Sequence, residues 1–127
     1  MKYVDTNILI RFIIDDNKEL ADIAEHILKT NECYVLPEVI PEAVYVLNKV
    51  YGFNRQDIAH AILQLLPLVV VKDVRLTRLA LNYFSELNFD YVDCILLARN
   101  KLYGHQIATL DKKLEKAIAT LPPVSLY

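Results

Sequence analysis

Residues 2–10 are KYVDTNILI, a short β-prone run that ends at an aspartate and leads directly into a helical pattern. Lys2-Tyr3-Val4 predicts a brief strand, and the apolar spacing from Thr6 to Ile14 predicts a helix immediately after it. A strand followed at once by a helix is the repeating unit of α/β proteins. Asp5 therefore lies at the carboxyl end of a strand, which is where parallel sheets of this class bind their ligands.

The same alternation of strand and helix continues along the chain. Further strands are predicted at Cys33–Leu36, Leu68–Val71 and Ile107–Thr109, with a short edge strand at Val124–Leu126. Helices are predicted at Asn17–Thr30, Pro41–Tyr51, Asn54–Leu66, Asp73–Leu87, Asp90–Tyr103 and Asp111–Ala119. The continuous β-branched run at Leu68–Val71 is typical of a buried parallel strand. The pattern predicts a central, mainly parallel sheet of four to five strands with helices on both faces.

Length and composition exclude several classes of protein. The 127 residues fit a single domain spanning 1–127, and a hydrophobic content of 54% excludes intrinsic disorder. Charged residues interrupt every apolar run, so neither a signal peptide nor a transmembrane helix is expected. Cys33 and Cys94 are too few for a disulfide framework and are not spaced as zinc ligands. We expect a reduced, soluble, cytoplasmic protein, and the net charge of −2 argues against one that coats DNA.

Four carboxylates lie at predicted strand ends or helix starts: Asp5, Glu42, Asp93 and Asp111. An acidic residue at one helix start is ordinary, because capping and the helix dipole favour it. Four carboxylates that converged on one rim of the sheet would repel each other, and at least one would take up a proton unless a cation were bound. Oxygen ligands suit Mg²⁺ or Mn²⁺. Three histidines lie far apart in the sequence and away from these motifs: His26, His60 and His105.

Four segments resemble the PIN domain family, and VapC-type toxins in particular. In chain order they are Val4–Arg11, Leu36–Val50, Asp90–Ala98 and Ala108–Leu114. The resemblance implies a three-layer α/β/α fold and a metal-dependent endoribonuclease. It implies that one or two Mg²⁺ or Mn²⁺ ions are bound by the catalytic carboxylates Asp5, Glu42, Asp93 and Asp111. It further implies that hydrogen bonds from the residues beside them, Thr6, Asn7 and Thr109, orient these carboxylates, although Thr109 can equally serve a strand end.

The resemblance also implies a reaction and partners. The reaction is hydrolysis of RNA phosphodiester bonds, with a water activated by the metal for in-line attack on phosphorus. Four basic residues are either contacts for RNA phosphates or solvated surface charges: Arg11, Arg99, Lys112 and Lys113. The partners are a small antitoxin protein and a second copy of the chain, forming a homodimer. Ile8–Ile14 and Val44–Tyr51 either form partner surfaces or face the core.

The ligand role of Glu42, the role of Asp90 and the function itself each leave an alternative open. Pro41 directly precedes Glu42 and could shift that carboxylate, so Glu38 is a second candidate ligand. Asp90 lies three residues before Asp93, and we favour capping for it over a contact with metal or water. An impaired site would leave a PIN-fold module that binds RNA or protein without cutting. A phosphatase with an aspartate nucleophile is disfavoured, because Asp5-Thr6-Asn7 lacks a second aspartate two residues on.

Overall fold

The computed structural model describes residues 1–125, and it divides them into two compact units. The first unit is Met1–Val74, and the second begins at Arg75, inside the first turn of a helix. Strands occur in the first unit, whereas the described part of the second unit is helical with connecting loops.

The first unit contains three strands and four α-helices. The strands are β1 (Lys2–Tyr3), β2 (Cys33–Val35) and β3 (Val70–Val71). The helices are α1 (Thr6–Ile13), α2 (Lys18–Thr30), α3 (Val39–Tyr45) and α4 (Arg55–Leu65). A π-helical turn, Val46–Val50, continues α3, and a 3₁₀ turn, Leu66–Leu68, continues α4.

The three strands form one parallel sheet in the order β1-β2-β3. Tyr3 is paired with Tyr34, and Tyr34 is paired with Val70. Helix α1 packs against α2 and α3, and the fully buried side chains of this unit include Leu9 and Leu47. The α/β class and the parallel pairing are thus confirmed, and the carboxyl end of β1 leads directly into α1 as expected.

The second unit contains α5 (Val74–Glu86), α6 (Tyr91–Tyr103) and α7 (Lys112–Thr120). Helix α6 packs against α7, and the fully buried side chains include Leu81, Leu97 and Leu114. Gly104 ends α6 in the left-handed conformation (φ 70°), and its N–H donates to the carbonyl of Asn100. This is the C-terminal arrangement that glycine favours, because it has no Cβ.

The prediction of four to five strands is wrong, since residues 1–125 contain three. The predicted strand Ile107–Thr109 lies in a loop without regular structure. A run of three residues that is half-exposed carries too little apolar burial to specify a strand. Val124 is not in a strand either, because its N–H donates to the carbonyl of Lys101 at 2.9 Å. The end of that predicted edge strand, Leu126, lies outside the described residues.

The helix predicted from Pro41 starts two residues earlier, at Val39, and becomes π-helical from Val46. Proline is accommodated because the first helical turn has N–H groups without intrahelical acceptors. The first N–H to bond back along α3 is that of Glu42, which donates to the carbonyl of Glu38 at 3.4 Å. Pro41 therefore does not define the start of this helix.

Candidate active site

Each unit carries two of the four predicted catalytic carboxylates. Asp5 and Glu42 belong to the first unit, and Asp93 and Asp111 belong to the second. All four lie at or within the first turn of a helix, as the sequence predicts.

Asp5 is the N-cap of α1, directly beyond β1. Its Oδ1 accepts a hydrogen bond from the N–H of Ile8 at 3.1 Å, and its backbone is extended (φ −89°, ψ 176°). The other oxygen, Oδ2, receives no hydrogen bond from the described residues. The side chain is exposed and lines a shallow hollow together with Tyr3, Asn7 and Ile8. The helix therefore fixes one oxygen of this carboxylate and leaves the second available to a ligand.

Thr6 and Asn7 lie beside Asp5 in the first turn of α1. Thr6 is buried, whereas Asn7 is exposed and lines the same hollow. Among the hydrogen bonds of residues 1–125, none joins either side chain to the carboxylate of Asp5. The orienting contact comes instead from the backbone N–H of Ile8.

Glu42 lies in the first turn of α3, and its side chain is exposed. No hydrogen bond or ion pair within the described part of the chain engages its carboxylate. Glu38 occupies the N-cap position one turn earlier, is also exposed and makes no capping bond with its side chain. The structure thus leaves both glutamates free to bind a cation, so that Glu38 stays an alternative ligand.

Asp90 and Asp93 lie at the start of α6. Asp90 occupies the N-cap position (φ −61°, ψ 154°), as predicted, but its side chain makes no capping hydrogen bond. Asp93 is half-buried. Burial raises the pKa of Asp93, and the negative charges of Asp90 and then Asp111 raise it further. The second unit therefore brings three carboxylates close enough to influence one another.

Asp111 is the N-cap of α7 and is held more firmly. Its Oδ1 accepts from the N–H groups of Lys113 (2.9 Å) and Leu114 (3.1 Å), and Oδ2 has no donor among the described residues. The predicted contact of Thr109 is present in a different form. Its hydroxyl oxygen accepts from the backbone N–H of Asp111 at 3.0 Å, which fixes the main chain of the cap and not the carboxylate.

Three of the four predicted RNA-phosphate contacts lie at or near the surface, and their own contacts differ. Arg11 forms an ion pair with Asp16 at 3.1 Å, and Lys112 lies 3.5 Å from Glu115 on its own helix. Arg99 is exposed on α6. Exposed ion pairs such as that of Lys112 contribute little to stability. These positions are compatible with phosphate binding, which stays a prediction.

The fourth basic residue, Lys113, has contacts that the sequence did not indicate. Its Nζ donates a hydrogen bond to the carbonyl of Asn88, and it lies 4.6 Å from the centroid of the Phe89 ring. The partners are 25 residues apart in the chain, so no local pattern could have revealed them.

The donor set fits a hard divalent cation, because it consists of carboxylate oxygens and several of these have no protein partner. Burial raises the pKa of Asp93 and the charges of Asp90 and Asp111 raise it further, and a cation would relieve the repulsion among these carboxylates. Within residues 1–125, no three His, Cys, Asp or Glu side chains stand in position to hold a metal ion without adjustment. The candidate ligands are side chains at helix starts.

Comparison with known proteins identifies the family. The PIN domain family matches residues 2–119, which includes all four carboxylates. No curated protein and no solved structure matches the chain. None of the helices within residues 1–125 has the length and apolar character that spanning a bilayer requires. PIN domains are generally nucleases and typically bind divalent metals. With a match over nearly its whole length, the chain belongs to the PIN domain family.

Proposed function

We propose that this PIN domain is a metal-dependent endoribonuclease that hydrolyses RNA phosphodiester bonds. One observation carries the proposal: the starts of α6 and α7 gather Asp90, Asp93 and Asp111, where burial raises the pKa of Asp93 and the charges of Asp90 and then Asp111 raise it further. Such an arrangement is unfavourable for the protein alone and favourable with a cation present. In a family of nucleases, such a cation would promote hydrolysis of the phosphodiester bond.

Asp5, Glu42, Asp93 and Asp111 are the proposed ligands of one or two Mg²⁺ or Mn²⁺ ions. Their joint role comes from their positions in the PIN motifs, and the local geometry of each residue supports it. Asp5 and Asp111 each use one oxygen as a helix cap and have Oδ2 free. These bonds from backbone N–H groups fix the orientation of the carboxylates, as hydrogen bonds to metal ligands generally do.

When bound, the metal supplies an activated water and offsets negative charge on the leaving oxygen. The chain's own part is to hold the carboxylates in place, through the N–H groups that bond to Oδ1 of Asp5 and of Asp111. No histidine base or serine nucleophile is needed for this chemistry.

We further propose that the protein is the toxin of a type II toxin–antitoxin pair and forms a homodimer. The resemblance of its four motifs to VapC-type toxins supports this role. Of the two predicted partner surfaces, Ile8–Ile14 largely faces the core, since Leu9, Ile10 and Ile14 are buried. The Val44–Tyr51 segment is more exposed, with Tyr45 at 63% and Val50 at 67%. Exposed apolar side chains of this kind favour a protein partner at that segment.

The test is cleavage of a panel of structured RNAs by the purified protein in Mg²⁺, in Mn²⁺ and in EDTA. We expect cleavage only with metal, and loss of cleavage in Asp5→Asn and in Asp93→Asn. Asp22→Asn is the matched control, because it removes the same charge from an exposed ion pair on α2. Full cleavage by an Asp5→Asn, Asp93→Asn double variant contradicts the proposal, as does a folded wild type that is inert on every RNA.

The structure does not favour the alternative of an impaired binding module. Pro41, which motivated that alternative, lies within the first turn of α3, and Glu42 beside it is exposed and unpaired. An inert but RNA-binding wild type in the cleavage panel is the result that would revive it. Trapping of an aspartyl-phosphate would similarly revive the phosphatase hypothesis.

A further inference from the structure

Lys113 makes long-range contacts that its neighbour Lys112 does not make. Both lysines lie in the first turn of α7. The Nζ of Lys113 donates to the carbonyl of Asn88 and lies over the ring of Phe89, a residue with only 7% exposure. A cation over an aromatic face is attracted by the ring, so the two contacts act together. Among residues 1–125, Lys112 reaches only Glu115, within its own helix.

These contacts connect the starts of two helices. Asn88 and Phe89 precede α6, whose first turn carries Asp93. Lys113 belongs to α7, whose cap is Asp111. Asp93 and Asp111 are both acidic, so their repulsion drives the two helix starts apart. The side chain of Lys113 opposes that separation.

We propose that Lys113 is a positioning residue, which ties the segment before α6 to the first turn of α7 and holds Asp111 near Asp93. The inference rests on the proposed function, since the distance between the two carboxylates matters most if they bind a metal together. Lys113 is thereby assigned a role within the protein and not a contact with RNA phosphate.

The direction in which cation affinity changes when Lys113 is removed separates this role from a simple charge effect. If Lys113 acted only through its charge, removing it would strengthen binding of a cation by nearby carboxylates. If it acts as a tether, removing it weakens binding, because the ligands are no longer held together. Disruption of contacts that support metal ligands typically weakens metal binding by roughly 10-fold or more.

The experiment compares Lys113→Met with Lys112→Met and Lys113→Arg in the full chain. Both methionine variants remove one positive charge from the same helical turn, and arginine keeps the charge and the donors. Binding of Mn²⁺ to the metal-free protein is measured by titration calorimetry. We expect roughly 10-fold weaker binding for Lys113→Met, unchanged or tighter binding for Lys112→Met, and binding near that of the wild type for Lys113→Arg.

Cleavage kinetics give a second readout that loss of folded protein alone would not produce. For Lys113→Met we expect a higher half-saturating Mn²⁺ concentration, with kcat restored at saturating Mn²⁺. The KM for RNA should rise no more in Lys113→Met than in Lys112→Met, since the tether leaves Lys113 without a contact to RNA phosphate. A smaller folded fraction would instead lower the rate at every Mn²⁺ concentration. Lys113→Gln, which keeps a donor, serves in the same assays where the methionine variant does not fold.

The results distinguish failure of this inference from failure of the proposed function. Equal Mn²⁺ affinity in the two methionine variants overturns the tether. A wild type that binds Mn²⁺ but cleaves no RNA refutes the function, while the calorimetry still decides the tether. If the wild type binds no Mn²⁺, hydrogen exchange of the Lys113 and Leu114 amides decides it. These amides should exchange faster in Lys113→Met than in Lys112→Met, and equal protection overturns the tether.

Discussion

Asp111 has two roles that single substitutions can separate. Its Oδ1 accepts both cap bonds of α7, while Oδ2 is free for a cation. Asp111→Ala removes the cap and the charge, whereas Asp111→Asn keeps an acceptor oxygen and removes only the charge. We expect the alanine variant to be less stable than the asparagine variant, and both to lose metal-dependent cleavage.

The magnitude follows from the two hydrogen bonds that are lost. Replacing a capping aspartate by alanine costs about 0.5–2 kcal/mol. The Leu114 amide is partly buried, and an unpaired buried donor adds to the cost, so we expect about 1.5 kcal/mol. For a chain of this size that lowers the Tm by about 6 °C. Asparagine is as good a cap as aspartate, so its cost should be less than about 0.5 kcal/mol.

Both substitutions also relieve the repulsion between Asp111 and Asp93 to the same degree, so the difference between them isolates the cap. The assay is urea unfolding, followed by circular dichroism in EDTA at neutral pH. Glu115→Ala is the control, because it removes an exposed carboxylate from α7 without touching the cap. The reasoning is refuted if asparagine is as destabilising as alanine, or if alanine is no more destabilising than the control variant.

Three further substitutions test other features of the second unit. Burial and neighbouring carboxylates raise the pKa of Asp93 in the folded protein, so ionised Asp93 lowers the free energy of unfolding above that pKa. Asp93→Asn should therefore raise the urea midpoint in EDTA at neutral pH. This gain should vanish in acid, where Asp93 is protonated in both the folded and the unfolded protein. Gly104→Ala should cost about 1 kcal/mol in the same assay, because φ is 70° and a Cβ would meet no other atom, so only backbone strain acts. Lys101→Met should cost about 1–2 kcal/mol, because the buried Nζ donates to the carbonyl of Ile118 at 2.6 Å near the end of α7.

Local signals in the sequence were sufficient for most helices and their caps. Asn17 and Asn54, the first residues of two predicted helices, each accept a hydrogen bond from the N–H group three residues on. Asp111 likewise caps α7. The parallel sheet followed from strand-helix alternation, which is a property of the order of elements and needs no distant contact.

Features that depend on distant or competing contacts could not be predicted in this way. The three residues Ile107–Thr109 resemble a strand, but only burial against partners can make them one. Asp90 has the sequence position of a cap, yet its side chain makes no capping bond. The π-helical turn at Val46–Val50 has no simple sequence signature, although such turns are frequent at functional sites. Lys113 contacts residues that no sequence period connects to it.

Capping is not a sufficient explanation for the acidic residues of this chain. It accounts for Asp5 and Asp111, whose Oδ1 atoms bond to helix N–H groups. It does not account for Glu42 and Asp93, whose carboxylates make no hydrogen bond or ion pair with the described residues. Asp93 even reduces stability when ionised, as its raised pKa shows. A residue that costs stability when ionised, in the same unit as Asp111 with its free Oδ2, supports the proposal that this PIN domain binds a cation at the starts of α6 and α7.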